Sequence, residues 1–319
     1  MNVRIGIARA LYSYYHYRLW QKFFTALNCQ VILSPPTTKT ILEAGIKLAP
    51  EEICLPIKTF LGHIAYLKDK CDFILIPRIV RMNYYDTKGK HLKYGCPKAI
   101  GLPDIVKAIF DKINIIDLTI DERQINQEQL FCQIGKLFIA SNQKVIAAYY
   151  SAVNEQAQFD EYVKNGLKPS EIFNEQIGLL DNQNPKRISI GLIGHPYLIY
   201  DNYLSLSMVD ILEKNGIKIY SANCCPKKSI EDVHWFYEQN IINSTAYLLE
   251  QNLVSGIIFA YSFSCGTSAI VSEIIKKEIL DHYDIPTLTL LFDEHSTAVG
   301  LTTRLESFLD LLNRNHQYR

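Results

Sequence analysis

Two stretches of this sequence, one opening near Val3 and the other near Arg187, run through the same alternation of short β-rich segments and longer amphipathic ones. Strand-like runs separated by helices require crossover connections, which lay the strands parallel and put the helices on the sheet faces. The first series reads as a strand over 3–8, a helix over 10–27, a strand over 30–33, helices over 38–48 and 55–69, and a strand over 72–76. The second reads as a strand over 188–193, a helix through 212, a strand over 217–220, a helix over 230–251, a strand over 256–261, a helix over 269–283, a strand over 287–291 and a last helix to about 312. The openings also align, Ile5-Gly6-Ile7-Ala8-Arg9-Ala10-Leu11-Tyr12 over Ile190-Gly191-Leu192-Ile193-Gly194-His195-Pro196-Tyr197, as an internal repeat would. The fold class that follows is α/β: two doubly wound Rossmann-like domains, 1–150 and 187–319. A helical connecting segment, 151–186, closes with the polar run Asp181-Asn182-Gln183-Asn184-Pro185.

A chain of 319 residues, 48% hydrophobic, can bury one large core or two ordinary ones. Lys plus Arg and Asp plus Glu both number 33, so there is no electrostatic footprint for nucleic acid or an anionic membrane. No run approaches the roughly 18 apolar residues of a membrane span, and Met1-Asn2-Val3-Arg4-Ile5-Gly6 lacks the layout of a signal peptide. These features predict a cytoplasmic protein whose eight cysteines are mostly thiols.

Three of those cysteines sit far apart beside backbone-shaping residues: Cys54-Leu55-Pro56, Cys96-Pro97 and Cys265-Gly266. Thiolates favour zinc, Cu(I) and iron-sulfur clusters, so the pattern suggests a soft-metal site assembled by the fold. Cys265 precedes a helix start and Cys54 precedes a helix opened by proline, settings that lower a thiol pKa. Gly95 and Pro97 frame Cys96 in a loop, and Gly266 is read as allowing close backbone approach. Doubly wound sheets bind ligands beyond the carboxyl ends of their strands; Cys265 and Arg78 each follow a strand, and the cysteine loops converge if the two crevices face each other. Buried helix-start cysteines explain the same spacing. Structural zinc usually takes a closely spaced cysteine pair, which these three lack, whereas three thiolates leave one position open on a [4Fe-4S] cluster. Cys29, Cys71 and Cys132 lie in or beside apolar stretches and read as core, while the Cys224-Cys225-Pro226 pair follows a strand and could send one thiol to a nearby site.

Other polar candidates are His63, Arg78, His195, and Glu294 with His295 in Asp293-Glu294-His295, where Asp293 could equally cap the last helix. Tyr12, Tyr14, Tyr15 and Tyr17 line either a cleft or a packed helix face. Gly191-Leu192-Ile193-Gly194 is not the three-glycine dinucleotide fingerprint, and no Walker A motif occurs, so the chain is not expected to hydrolyse ATP itself.

Read in order, Ser34-Pro35-Pro36-Thr37, Cys54-Leu55-Pro56-Ile57-Lys58, Gly62-His63, Ile76-Pro77-Arg78, Cys96-Pro97-Lys98 with Gly101-Leu102-Pro103-Asp104, Gly194-His195-Pro196-Tyr197 and Asp293-Glu294-His295 resemble the acyl-CoA dehydratase activase-related proteins. These are relatives of the 2-hydroxyacyl-CoA dehydratase family, which includes 2-hydroxyglutaryl-CoA dehydratase component D. The resemblance implies a [4Fe-4S] protein of anaerobic metabolism with Cys54, Cys96 and Cys265 at the ligand positions. It further implies low-potential electrons from an ATP-hydrolysing activator that carries its own iron-sulfur cluster. They would serve electron transfer or the reductive dehydration of an acyl-CoA thioester, in a homo- or heterodimer. In true dehydratases the electron makes a ketyl radical of a 2-hydroxyacyl thioester. Ser264-Cys265-Gly266-Thr267 departs from the Phe/Gly-Cys-Gly-Pro expected of most relatives. A non-catalytic partner or scaffold subunit with structural or zinc-bound cysteines is the rival reading, and a metal-free pair of ligand-binding domains a third.

Overall fold

The two alternating series form two sheets in the computed structural model, which describes residues 2–83, 92–138, 141–174, 188–222 and 233–317. The chain divides into two compact units, 1–162 with His234–Phe236, and 163–233 with 237–319. The expected run 181–185 and the Cys224-Cys225-Pro226 pair lie outside the described residues.

In the first unit β1 (Arg4–Ile7), β2 (Gln30–Leu33), β3 (Phe73–Asn83) and β5 (Ile115–Asp121) are parallel in the order β2-β1-β3-β5. The short β4 (Leu92–Tyr94) runs antiparallel to the far end of β3, with Arg81 opposite Tyr94, on the edge that β1 has left. The sequence places the end of this third strand at 76, ahead of Pro77, yet β3 continues for seven residues more. β1 pairs with β3 only as far as Leu75, so Pro77 falls beyond that ladder and its missing N–H breaks no bond to β1.

Helix α1 (Ser13–Ala26) turns Trp20, Phe23 and Phe24 into the core, and Phe23 meets Phe131 of α6 (Gln127–Gly135) edge to face at 4.8 Å. Of the tyrosine cluster, Tyr12, Tyr14 and Tyr17 are buried in this packing and Tyr15 half-buried. Helices α2 (Lys39–Leu48) and α3 (Leu55–Leu67) cross at two glycines: a Cβ at Gly45 would sit 1.8 Å from the Lys58 carbonyl oxygen. After β4 come the single turn α4 (Pro97–Ile100) and α5 (Leu102–Ile109). Helix α7 (Asn142–Lys164) and a 3-10 turn, Pro169–Phe173, occupy the described part of the expected connecting segment.

In the second unit β6 (Ile188–Gly194), β7 (Ile217–Ser221), β8 (Gly256–Ser262) and β9 (Thr287–Phe292) are parallel in the order β7-β6-β8-β9, the same winding as the first. The single helix expected through 212 is broken into α8 (Pro196–Ile199) and α9 (Met208–Lys214). Asp201 Oδ1 accepts from the N–H groups of Tyr203 and Leu204, and Leu206 and Ser207 take φ of 53° and 58°, which no continuous helix permits. Helix α10 (Phe236–Glu250) precedes β8. Helix α11 (Gly266–Ile274) starts three residues earlier than expected and runs on through a π turn, Ile275–Ile279, and a 3-10 turn, Leu280–His282. Helix α12 (Ala298–Gln317) closes the described chain. Among the described residues no helix is long and apolar enough to cross a membrane.

Candidate functional site

All three singled-out cysteines occupy one local position: each is the N-cap of a helix, with extended backbone. The described cysteines 29, 54, 71, 96, 132 and 265 form no disulfide. Burial pushes the thiols of Cys29, Cys71 and Cys132 up from the ordinary range, as befits inert packing groups.

In the first unit Cys54 is 6% exposed ahead of α3, and its carbonyl accepts from the N–H groups of Ile57 and Lys58. Lys58 buries its side chain in the first turns of the same helix. Cys96 caps α4, which at one turn adds no helix dipole of consequence, so its placement rests on tertiary contacts. Gly95 donates to the Val80 carbonyl, and a Cβ there would lie 2.0 Å from the Ile79 oxygen, so only glycine lets the loop pass this close to β3. Lys98 Nζ donates to the Glu52 carbonyl at 3.1 Å and joins the two cysteine segments.

Arg78 is expected at a strand end but stands within β3, opposite Thr119 of β5. Its guanidinium donates to both carboxylate oxygens of Asp104, to both of Asp117, and to the Ile100 carbonyl that ends α4. These partners raise its pKa further above an already high value, with the Asp104 hydrogen bond the largest cause. Arg78 is thus an anchor for the helix behind Cys96 rather than an open cation. His63 is fully buried on α3, with Nδ1 2.8 Å from Ser34 Oγ and Nε2 3.1 Å from Thr37 Oγ1. Ser34 Oγ also accepts from the Arg9 N–H, so His63 pins the loops leaving β1 and β2. Burial, with a smaller push from Arg9, drives its pKa down to about 3.

In the second unit the winding reverses between β6 and β8, and the crevice at the carboxyl ends there is where such sheets take ligands. His195 follows β6 and Cys265 follows β8. Ser264, at φ 64°, delivers Cys265 to its cap in a left-handed turn that glycine would adopt more cheaply. A Cβ at Gly266 would meet nothing within 4 Å, so the close backbone approach expected there does not occur within the described residues. The Cys265 Sγ donates to Ser268 Oγ at 3.1 Å and lies 3.7 Å from Thr267 Oγ1.

The sequence offers no sign of Glu238, which is 3% exposed on α10 with Oε1 3.5 Å from His195 Nε2. Burial alone would push its carboxyl up; His195 and the Thr267 hydroxyl outweigh that and hold it below the ordinary carboxylate range. The His195 ring stacks on Tyr197 at 4.7 Å. His195, Glu238 and Thr267, all buried, and the half-buried Cys265 thus form one chain of polar contacts at the switch point. Glu294 and His295 follow the neighbouring strand β9, half-buried and exposed respectively. Asp293 does not cap α12: its Oδ1 accepts from the His295 N–H and the Ser296 hydroxyl in a local turn, and Thr297 accepts from Gly300 and Leu301 at the helix start.

A cavity of about 650 Å³, lined by Leu249, Asn252, Tyr283, Asp284 and Leu312 among others, opens at the amino ends of β8 and β9, the opposite end of the sheet from Cys265. Within each unit, among the described residues, no three His, Cys, Asp or Glu side chains are grouped to hold a metal ion.

A search of curated proteins finds no match to the chain. Cys54, Cys96, Arg78, His63 and His195 fall inside the segment that a family model does match, and Cys265 and Glu238 beyond it. That model covers residues 4–225, and the chain belongs to the family it describes, the CoA enzyme activase uncharacterised domain (DUF2229).

Proposed function

We propose that this member of the CoA enzyme activase domain family is an iron-sulfur protein of the 2-hydroxyacyl-CoA dehydratase type, with Cys54, Cys96 and Cys265 as ligands of a [4Fe-4S] cluster. The observation that carries the reading is the common position of the three thiols, each a helix N-cap preceded by a shaped loop. The donor set fits the group: three thiols, each at a helix N-cap, are the ligand type that iron-sulfur clusters take. When bound, such a cluster supplies one-electron transfer at low potential. The chain's own residues hold the thiols in place, Arg78 and Lys98 through α4, and Ser264 with Ser268 around Cys265. The electron donor in this reading is an ATP-hydrolysing activator with its own cluster, and the acceptor an acyl-CoA thioester or a further carrier.

Purification without oxygen, reconstitution with iron and sulfide, and metal analysis test the reading. A brown protein whose broad visible absorption is lost in single Cys54→Ala, Cys96→Ala and Cys265→Ala variants supports it. A protein that takes up neither iron nor sulfide, or whose metal content is indifferent to all three changes, sinks it. Bound zinc instead of iron would assign the cysteines to a structural role in a non-catalytic partner subunit.

A further inference from the structure

Two hydroxyls lie near the Cys265 sulfur, Ser268 Oγ at 3.1 Å and Thr267 Oγ1 at 3.7 Å. A threonine hydroxyl has one proton to give. Sulfur is a weak acceptor and a carboxylate a strong one, with charge-assisted bonds about twice as strong as neutral ones. The Thr267 proton therefore goes to Glu238, which is held ionised beside His195 although it is 3% exposed. Ser268 has no such competitor among the described residues and stays with the sulfur.

We propose that Glu238 is a positioning residue that withholds the Thr267 hydroxyl from the Cys265 sulfur, leaving that sulfur a single hydroxyl partner, Ser268. The consequence for electron transfer rests on the reading of Cys265 as a cluster ligand. Hydrogen bonds to ligand sulfur stabilise the extra negative charge of the reduced state and raise the potential. Diverting one hydroxyl, and placing a buried carboxylate behind it, keeps the potential low. Glu238 touches neither the sulfur nor a substrate in this scheme; it acts through Thr267.

Infrared spectra of the reduced, metal-free protein test the inference directly, because the difference between the protein and its Cys265→Ser variant isolates the Cys265 S–H stretch. Glu238→Met releases the Thr267 hydroxyl to the sulfur, which strengthens the S–H bond to Ser268 cooperatively and shifts the band to lower wavenumber. Thr267→Val alone leaves the band in place, and Glu238→Met with Thr267→Val returns it to the native position. A band that moves with Thr267→Val alone overturns the proposal, since the hydroxyl would then already serve the sulfur; this holds even if Glu238→Met does not fold. A band unmoved by Glu238→Met overturns it equally. In protein loaded with iron and sulfide, Glu238→Met raises the midpoint potential and adding Thr267→Val removes part of the rise. Protein that takes up no iron ends the ligand reading, while the infrared comparison still decides the role of Glu238.

Discussion

Lys98 Nζ reaches the main-chain carbonyl of Glu52 at 3.1 Å, so one side chain ties the loop ahead of Cys54 to the helix behind Cys96. The bond is exposed, and exposed contacts of a charged group add about 1 kcal/mol at most. Lys98→Met should therefore lower the urea midpoint only slightly while loosening the loop. Hydrogen exchange reads that loosening at the Ile53 amide, which is bonded to the Pro50 carbonyl. Unchanged exchange at Ile53 would show that the tie does not hold the loop.

Arg78 is a stronger constraint. Its side chain is 17% exposed and its loss would leave the Asp117 carboxylate, 28% exposed, without the cation that faces it, and the Ile100 carbonyl without a donor. Arg78→Met should cost about 2–4 kcal/mol by equilibrium denaturation, below the full cost of a completely buried pair. Asp104→Asn, at an exposed carboxylate, should cost much less. Equal losses in the two variants would contradict this ranking.

His63 makes stability depend on acid. Its folded pKa of about 3 lies below the value near 6.5 expected of an unfolded chain, so the unfolded state takes up the proton first as pH falls. The contribution is complete above about pH 6.5 and is lost progressively as pH falls toward 3, by up to about 1.4 kcal/mol per pH unit. His63→Gln should remove this one-proton slope between about pH 6 and 4, as urea midpoints across that range would show. A slope unchanged in the variant would place the acid sensitivity elsewhere.

The crossing of α2 and α3 leaves no room for a methyl group. A Cβ at Gly62 would stand 1.9 Å from the Ile41 carbonyl oxygen, a contact that only helix separation can relieve. Alanine's better helix propensity offers up to about 1 kcal/mol, and overpacking costs about 1–3 kcal/mol or more. Gly62→Ala should therefore be destabilising on balance, and its thermal midpoint should fall by several degrees. A rise would mean that the helices part freely.

Strand positions in the second sheet are read to within a residue or two, because a parallel strand covered on both faces is a short, nearly continuous apolar run. Local pattern misleads where neighbours decide. The third strand is expected to end at 76 but runs on past Pro77, because β1 pairs with it no further than Leu75, and the helix expected through 212 is interrupted by the Asp201 turn. Glu238 is the clearest omission. In the polar run Glu238-Gln239-Asn240 it looks like a solvated helix face, yet Glu238 and Gln239 are both buried.

From the order of residues alone come the α/β class, the repeated winding, the family and the three cysteines, because backbone periodicity and helix-start chemistry are local properties. The partners of each side chain are not local. Arg78 meets Asp117 across 39 positions, and His195 meets Glu238 across 43. Such pairs depend on strand order and on how each helix seats on its sheet. Those are set by the packing of the whole core, and they turned Arg78 and His63 into anchors and brought Glu238 behind Cys265.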